Sequence, residues 1–117
     1  STWEAIMFSA HHSLNNLFFI IDKNNLQSIK STSATLDMGD LRKKFLSFNI
    51  NTLECDGHNH AELKNSLISF HETKPTVLIS NTIKGKGVKF MENSVLWHYK
   101  FPDDKELDAA IRDVQNA

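Results

Sequence analysis

One cysteine, two prolines and four glycines among 117 residues put several classes of protein out of reach. The lone Cys55 cannot close an intramolecular disulfide, so this is no disulfide-stapled scaffold, and it suits a reducing compartment such as the cytoplasm. So little proline and glycine rules out collagen-like and low-complexity chains. Neither sign of charge is in excess: Lys and Arg number 13 and Asp and Glu 14, a net charge of -1. That balance leaves no electrostatic footprint for nucleic acid or an anionic membrane. Long apolar runs are missing too. The longest, Leu17 to Ile21, is far short of the roughly 18 to 20 residues of a membrane span and lacks the flanks of a signal peptide. A soluble protein is expected.

What is present is ordinary: 40% hydrophobic and 23% charged residues, a balance that suits one globular domain at this length. The chain starts at Ser1, without an initiator methionine and inside what reads as a helix cap. It is therefore expected to be a piece of something longer.

Ser1 and Thr2 cap a helix carrying Trp3, Ala5, Ile6, Phe8, Ala10 and Leu14, and Glu4, three residues after Ser1, completes a capping box. Leu17 to Ile21 is continuously apolar, the pattern of a strand buried on both faces of a parallel sheet, and Asp22-Lys23-Asn24-Asn25 ends it with turn chemistry. Residues 27–37, small and polar without a period, read as a long loop. Asp37 or Asp40 caps a helix with Leu41, Phe45 and Phe48. Asn49 to Cys55 is a second strand and Asp56-Gly57-His58 its turn. Asn59 and Glu62 make another capping box, opening a helix whose apolar side holds Leu63, Leu67, Ile68 and Phe70. Thr76 to Ile83 is a third, β-branched strand running into Lys84-Gly85-Lys86-Gly87. A last helix follows Asp103 and Glu106, with Leu107, Ala110, Ile111 and Val114 as its buried stripe. Helices and strands that alternate in this way predict an α/β fold: a parallel sheet with helices on both faces. In such sheets ligands sit beyond the carboxyl ends of the strands. That rule selects residues 22–26, 56–60 and 84–87.

Three constellations could carry chemistry. Asp22 to Gln27 offers a carboxylate, amides and carbonyls, the oxygen donors that magnesium or calcium prefers; an ordinary turn uses the same residues. Lys84 to Gly87 could bring backbone amides and two ammonium groups to a phosphate. It matches neither a P-loop nor a dinucleotide fingerprint, and a solvated basic turn reads the same way. Cys55, His58 and His60, with His11, His12, His71 or His98 as a fourth ligand, form a zinc reading that lacks finger-like paired spacing. No histidine stands in the context of a hydrolase triad, and His98, among aromatics, also reads as a packed side chain.

Taken together, several runs say more. Ser1-Thr2-Trp3-Glu4-Ala5, Leu14-Asn15-Asn16-Leu17 and Ile20-Ile21-Asp22-Lys23-Asn24-Asn25-Leu26-Gln27 resemble the thiamine-diphosphate motif of transketolases. Cys55-Asp56-Gly57-His58-Asn59, Lys74-Pro75-Thr76-Val77, Asn81 to Val88, Phe90-Met91-Glu92-Asn93 and Leu96-Trp97-His98-Tyr99 resemble the N-terminal subunit of two-chain transketolases. The resemblance runs through nearly the whole chain, in order.

It implies that residues 1–117 are the C-terminal part of a diphosphate-binding domain, incomplete at the N-terminus. In that family an Asp of a Gly-Asp-Gly motif, the Asn matched by Asn24 and the carbonyl matched by Leu26 hold a divalent cation, Mg2+ or Ca2+, on thiamine diphosphate. Lys84, Gly85 and Gly87 match positions near the diphosphate. His98 matches the substrate entrance, a candidate for substrate or diphosphate contact and proton transfer. Glu4 matches the second of two glutamates that join active sites across a dimer, a role compatible with its capping box. The implied activity is transfer of a two-carbon ketol unit between sugar phosphates. The alternatives are a deoxyxylulose-phosphate-synthase-like or other thiamine-dependent enzyme, and a degenerate assembly domain. The Gly-Asp-Gly motif would precede Ser1, and the glutamate that activates the aminopyrimidine lies in a separate pyrimidine-binding domain or C-terminal subunit. The isolated chain is thus expected to be inactive, and a homo-oligomer or heterotetramer is the expected assembly. Two runs depart from the family: Ile29-Lys30-Ser31 replaces a glycine after the Asn turn, putting that loop's shape in question. Phe48-Asn49-Ile50 replaces Phe-Gly-Trp, which reads as a packing change.

Overall fold

The computed structural model describes residues 1–69 and 71–116; Phe70, expected on a helix face, lies outside them. In chain order the elements are α1 (Thr2–His11), β1 (Phe18–Lys23), α2 (Thr32–Thr35), α3 (Leu41–Ser47), β2 (Asn51–Asp56), α4 (His60–Leu67), β3 (Thr76–Asn81), a 3-10 turn η1 (Val95–His98) and α5 (Asp104–Gln115). They gather into two compact units, one of Ser1–Lys23 and Met38–Asn81, the other of Asn24–Asp37 and Thr82–Ala117.

The first unit is the predicted parallel α/β sheet, in the order β1-β3-β2. Side-chain alternation puts Phe19, Ile21, Val77 and Ile79 on one face, where Ile6 of α1, Phe45 of α3 and Ile50 complete the core. Trp3 stacks on Phe45 with ring centroids 5.4 Å apart. Leu78, pointing to the opposite side of β3, is fully buried as well. The strand buried on both faces is therefore β3. The same expectation for Leu17 to Ile21 is wrong, because β1 has a partner on one edge only among the described residues and Ile20 is 58% exposed. β1 also starts one residue later and runs on through Lys23, since its ladder with β3 continues to the Lys23–Asn81 pair.

Local chemistry accounts for most helix ends. Asp40, rather than Asp37, caps α3 by accepting from the Lys43 N–H at 2.9 Å. α3 closes into Asn49, whose φ of +62° is the left-handed conformation that glycine usually supplies. The Phe48-Asn49-Ile50 departure is thus a backbone matter as well as one of packing: Asn is the residue that best tolerates this conformation after Gly, and Ile50 is buried in the core. Asn59 Oδ1 accepts from the Ala61 and Glu62 N–H groups at 3.0 and 3.2 Å. The expected return bond is redirected: Glu62 accepts from the Asp56 N–H and the Asn59 Nδ2, while the Asn59 N–H donates to the Asp56 carbonyl. Leu67 and Ile68 are exposed, so the apolar side of α4 is not the buried face expected of it. At α1 the Ser1 side chain makes no cap bond, so the expected capping box does not form.

In the second unit, residues 27–37 are not all loop. Ser31 Oγ accepts from the Ala34 N–H at 3.3 Å and Thr35 Oγ1 donates to the Ser31 carbonyl at 3.0 Å, closing the single turn of α2. Small hydroxyl side chains supply the bonds that a periodic apolar pattern would otherwise have to justify. α5 opens with the predicted capping box: Asp103 Oδ1 accepts from the Glu106 N–H at 2.8 Å and Glu106 Oε2 from the Asp103 N–H at 2.9 Å. Its apolar stripe is present but not buried, with Leu107 and Ile111 each 47% and Val114 60% exposed. Gly85 has φ +76°, and a Cβ there would stand 2.6 Å from the Met91 carbonyl oxygen. Gly87 has φ +95° with open space around it.

That contrast predicts unequal costs. Gly87→Ala should destabilise by about 1 kcal/mol from backbone strain alone, whereas Gly85→Ala should cost upwards of about 2 kcal/mol, because Met91 backbone must move. Thermal melts of the two variants check this, and equal shifts would refute the crowding argument. A second expectation concerns acid. The Lys100 ammonium foremost, then the Asp103 N–H, hold the Glu106 carboxyl below its ordinary value. A lowered carboxyl contributes stability that is complete above the unfolded value of about 4.3 and is lost as pH falls through the folded one. The Asp103 amide proton should therefore shift in NMR as α5 frays below that value. Glu106→Gln should abolish the step, and its persistence would exclude Glu106 as the source.

Candidate functional site

Asn24, Leu26, Lys84, Gly85, Gly87 and His98 all fall in the second unit, and Glu4 in the first. The chain leaves β1 at Lys23 and turns at once. Asn24 Oδ1 accepts from the Leu26 N–H at 2.9 Å, a side-chain turn across two residues. Asn25 takes φ +59°, and its carbonyl accepts from both the N–H and the Oγ1 of Thr32, at 2.9 and 3.3 Å. The Gln27 N–H donates to the Lys30 carbonyl at 2.9 Å, and Leu26 bridges Ser31 in antiparallel fashion. The loop therefore closes without a glycine at Ile29-Lys30-Ser31: the left-handed residue it needs is Asn25, and Ile29 is exposed.

His98 ends η1 and reaches this turn, its Nε2 lying 3.4 Å from Ser28 Oγ. Trp97 anchors the segment, donating from Nε1 to the Phe90 carbonyl at 3.0 Å and meeting the Phe90 ring edge-on at 5.1 Å. The Lys100 ammonium sits 4.6 Å from the Trp97 ring centroid and pairs with Glu106. Trp97 and Lys100, with Phe90, Leu96 and Glu106, also line an open groove that includes none of the predicted ligands.

The glycine loop holds itself closed. The Lys86 N–H donates to the Ile83 carbonyl and the Val88 N–H to the Gly85 carbonyl, each at 3.1 Å. The Gly87 N–H donates to Glu92 Oε1 at 3.2 Å, and the Lys86 ammonium lies 4.0 Å from the same oxygen. One amide and one ammonium of this loop thus already face a carboxylate. Glu92 stands within a family-like run, yet sequence reasoning gives it no role. The available signal was its place five residues after Gly87, within reach of a turn.

Glu4 stands exposed in the first turn of α1. A hydrogen bond from its own backbone N–H holds its carboxyl below the ordinary value. The zinc reading fails: no group of three or more His, Cys, Asp or Glu among the described residues could hold a metal. Cys55 is buried in β2 while His58 and His60 are exposed, because alternation along a strand does not carry into the turn beyond it. Among the described residues no helix is long and apolar enough to cross a membrane.

Residues 1–112 match the family model described as "Transketolase, thiamine diphosphate binding domain". One subunit of the apulose-4-phosphate transketolase of Actinobacillus succinogenes is 36% identical over 117 residues, 99% of this chain and 42% of that protein. The subunit of the same name from Phocaeicola vulgatus is 34% identical, covering 97% of this chain and 41% of that one. The chain thus spans about two fifths of the length of these relatives. The transketolase of Campylobacter jejuni superposes with a TM-score of 0.88 over 97% of this chain and 18% of that one, at 23% identity, a likeness of fold. With its parallel sheet and a match over nearly its full length, this chain belongs to the transketolase thiamine diphosphate binding domain family.

Proposed function

We propose that this chain supplies most of the diphosphate-binding domain of a transketolase-type enzyme. The observation that carries the reading is the turn in which Asn24 Oδ1 folds onto the Leu26 N–H, with Ser28 of the same loop against His98. An amide oxygen and a backbone carbonyl are hard donors, so this pair fits Mg2+ or Ca2+ better than a transition metal. The Asn24 side chain and the Leu26 carbonyl would hold the cation, and a third ligand comes from outside these residues. Lys84, Gly85 and Gly87 would hold the diphosphate, and the Gly87 N–H, which donates to Glu92 here, would have to be released to do so. Thiamine diphosphate, when bound, supplies the chemistry that moves a two-carbon ketol unit from a ketose phosphate to an aldose phosphate. His98 contacts substrate or diphosphate and moves a proton at a ring nitrogen, its ring flanked by Ser28 Oγ at 3.4 Å and edge-on by the Tyr99 ring at 4.7 Å. Glu4, exposed on α1, meets the neighbouring active site across a subunit boundary.

The partner in this reading is a pyrimidine-binding domain or C-terminal subunit, in a dimer or heterotetramer, within cytoplasmic carbohydrate metabolism. The two bacterial relatives are each named as one subunit of a transketolase, which supports a second, separate chain. The closed turn at residues 24–32 favours a working site over a degenerate assembly domain.

The test is an assay of the assembled protein with sugar-phosphate donors, apulose 4-phosphate among them, against pyruvate. Ketol transfer is expected; activity with pyruvate alone would move the chain to a deoxyxylulose-phosphate-synthase-like enzyme. Asn24→Ala should weaken Mg2+-dependent thiamine diphosphate binding by roughly 10- to 100-fold, measured by titration calorimetry, and unchanged binding would remove Asn24 from the metal site. His98→Ala should lower kcat/KM by roughly 100-fold or more if the ring transfers a proton, with cofactor affinity little changed. A rise in KM alone would assign it to binding.

A further inference from the structure

At the carboxyl end of the sheet the core face turns polar. Alternation puts Lys23 on the side of Ile21, and Asn81 on the side of Ile79. Glu54 of β2, paired with Ile79 in the ladder, shares that side. Its Oε1 accepts from the Asn81 Nδ2 at 3.0 Å and from the Lys23 Nζ at 3.4 Å. Asn81 Nδ2 also reaches the Cys55 carbonyl at 3.4 Å. Lys23 and Asn81 face each other in the last rung of the β1–β3 ladder. They are also the residues at which the chain leaves the first unit: Asn24 follows one and Thr82 the other. Both segments assigned to the cofactor, Asn24 to Leu26 and Lys84 to Gly87, thus begin from a rung held by one carboxylate.

The geometry points to Glu54 as a positioning residue: by holding Lys23 and Asn81 from the third strand, it sets the two exits from which the cofactor-binding segments start. In its cofactor part this rests on the function proposed above. Two facts separate the role from general stability. The last rung of an edge-strand ladder opens more readily than its centre, so a clamp there acts where the loops begin. The pair is also half-exposed, 36% for each side chain, and such pairs add little to global stability. The Asn81 hydrogen bond foremost, and the Lys23 charge, hold the Glu54 carboxyl below its ordinary value, consistent with an ionised clamp.

The test compares Glu54→Ala, Glu54→Gln and Lys23→Met with wild type in the complete protein assembled with its partner. Amide hydrogen exchange without cofactor is the first readout. Glu54→Ala should speed exchange several-fold at residues 23–26 and 81–87, leaving the centre of β3 as in wild type. Glu54→Gln, which keeps an acceptor oxygen, should restore most of the protection. Lys23→Met should loosen 23–26 alone. The affinity for thiamine diphosphate at fixed Mg2+ is the second readout, expected to weaken roughly tenfold in Glu54→Ala. In Glu54→Ala, wild-type exchange in both segments, acceleration spread evenly through β2 and β3, or unchanged affinity overturns the proposal. Local loosening in a protein whose wild type does not bind thiamine diphosphate would uphold the clamp and defeat the cofactor reading instead. If Glu54→Ala does not fold, Lys23→Met carries the test, and wild-type exchange at residues 23–26 in that variant overturns the proposal.

Discussion

Everything in the first unit depends on β3 being covered from every side. Its residues Thr76 to Ser80 are all buried, and it donates to and accepts from a parallel neighbour on each edge. A parallel strand cannot be satisfied by a hairpin partner; it needs crossovers that bring β1 and β2 back alongside. The apolar run Val77-Leu78-Ile79 therefore fixes more than a core. It forces the other strands to end together, so that Lys23, Asn81 and Asp56 stand side by side in one row of the register. Loops that leave from one row begin close to one another, which is the physical content of the rule that α/β sheets bind ligands beyond their carboxyl ends.

The sheet's edge shows why burial was harder to read than secondary structure. Phe18-Phe19-Ile20-Ile21 and Val77-Leu78-Ile79 are equally apolar, yet Ile20 is exposed and Leu78 is not. Composition reports that a strand is suited to cover on both faces; whether cover is present depends on neighbours that the local sequence does not contain. The stripe on α5 makes the same point for a helix. Its period is legible in Leu107, Ile111 and Val114, and its capping box is legible in Asp103 and Glu106, because caps are settled within three residues. The burial of that stripe is not a local property.

Site residues divide along similar lines. The Asn24 turn could be read because its side-chain bond spans two residues, and the family pattern marks it. The role of Glu92 was hidden because a carboxylate that serves a glycine loop looks, in sequence, like any exposed charge. Glu54 was hidden more deeply. Its partners lie 31 and 27 residues away, and only the strand order places them together.

The scarcity of glycine with which the chain begins has its counterpart in the backbone. Left-handed conformations are not scarce here: Asn25, Asn49 and Asn93 adopt them, as does Ser13, alongside Gly39, Gly85 and Gly87. Asparagine tolerates this region at low cost because its short amide can bond locally, so the chain can use it wherever a side chain has room. Asn49 gains from the exchange, since its Oδ1 accepts from the Lys74 ammonium at 2.6 Å, a bond that glycine could not make. Gly85 has no such latitude, with Met91 backbone where a Cβ would stand. Crowding thus accounts for glycine at Gly85 alone, since Gly39 and Gly87 have open space where a Cβ would stand and answer only to the sign of φ.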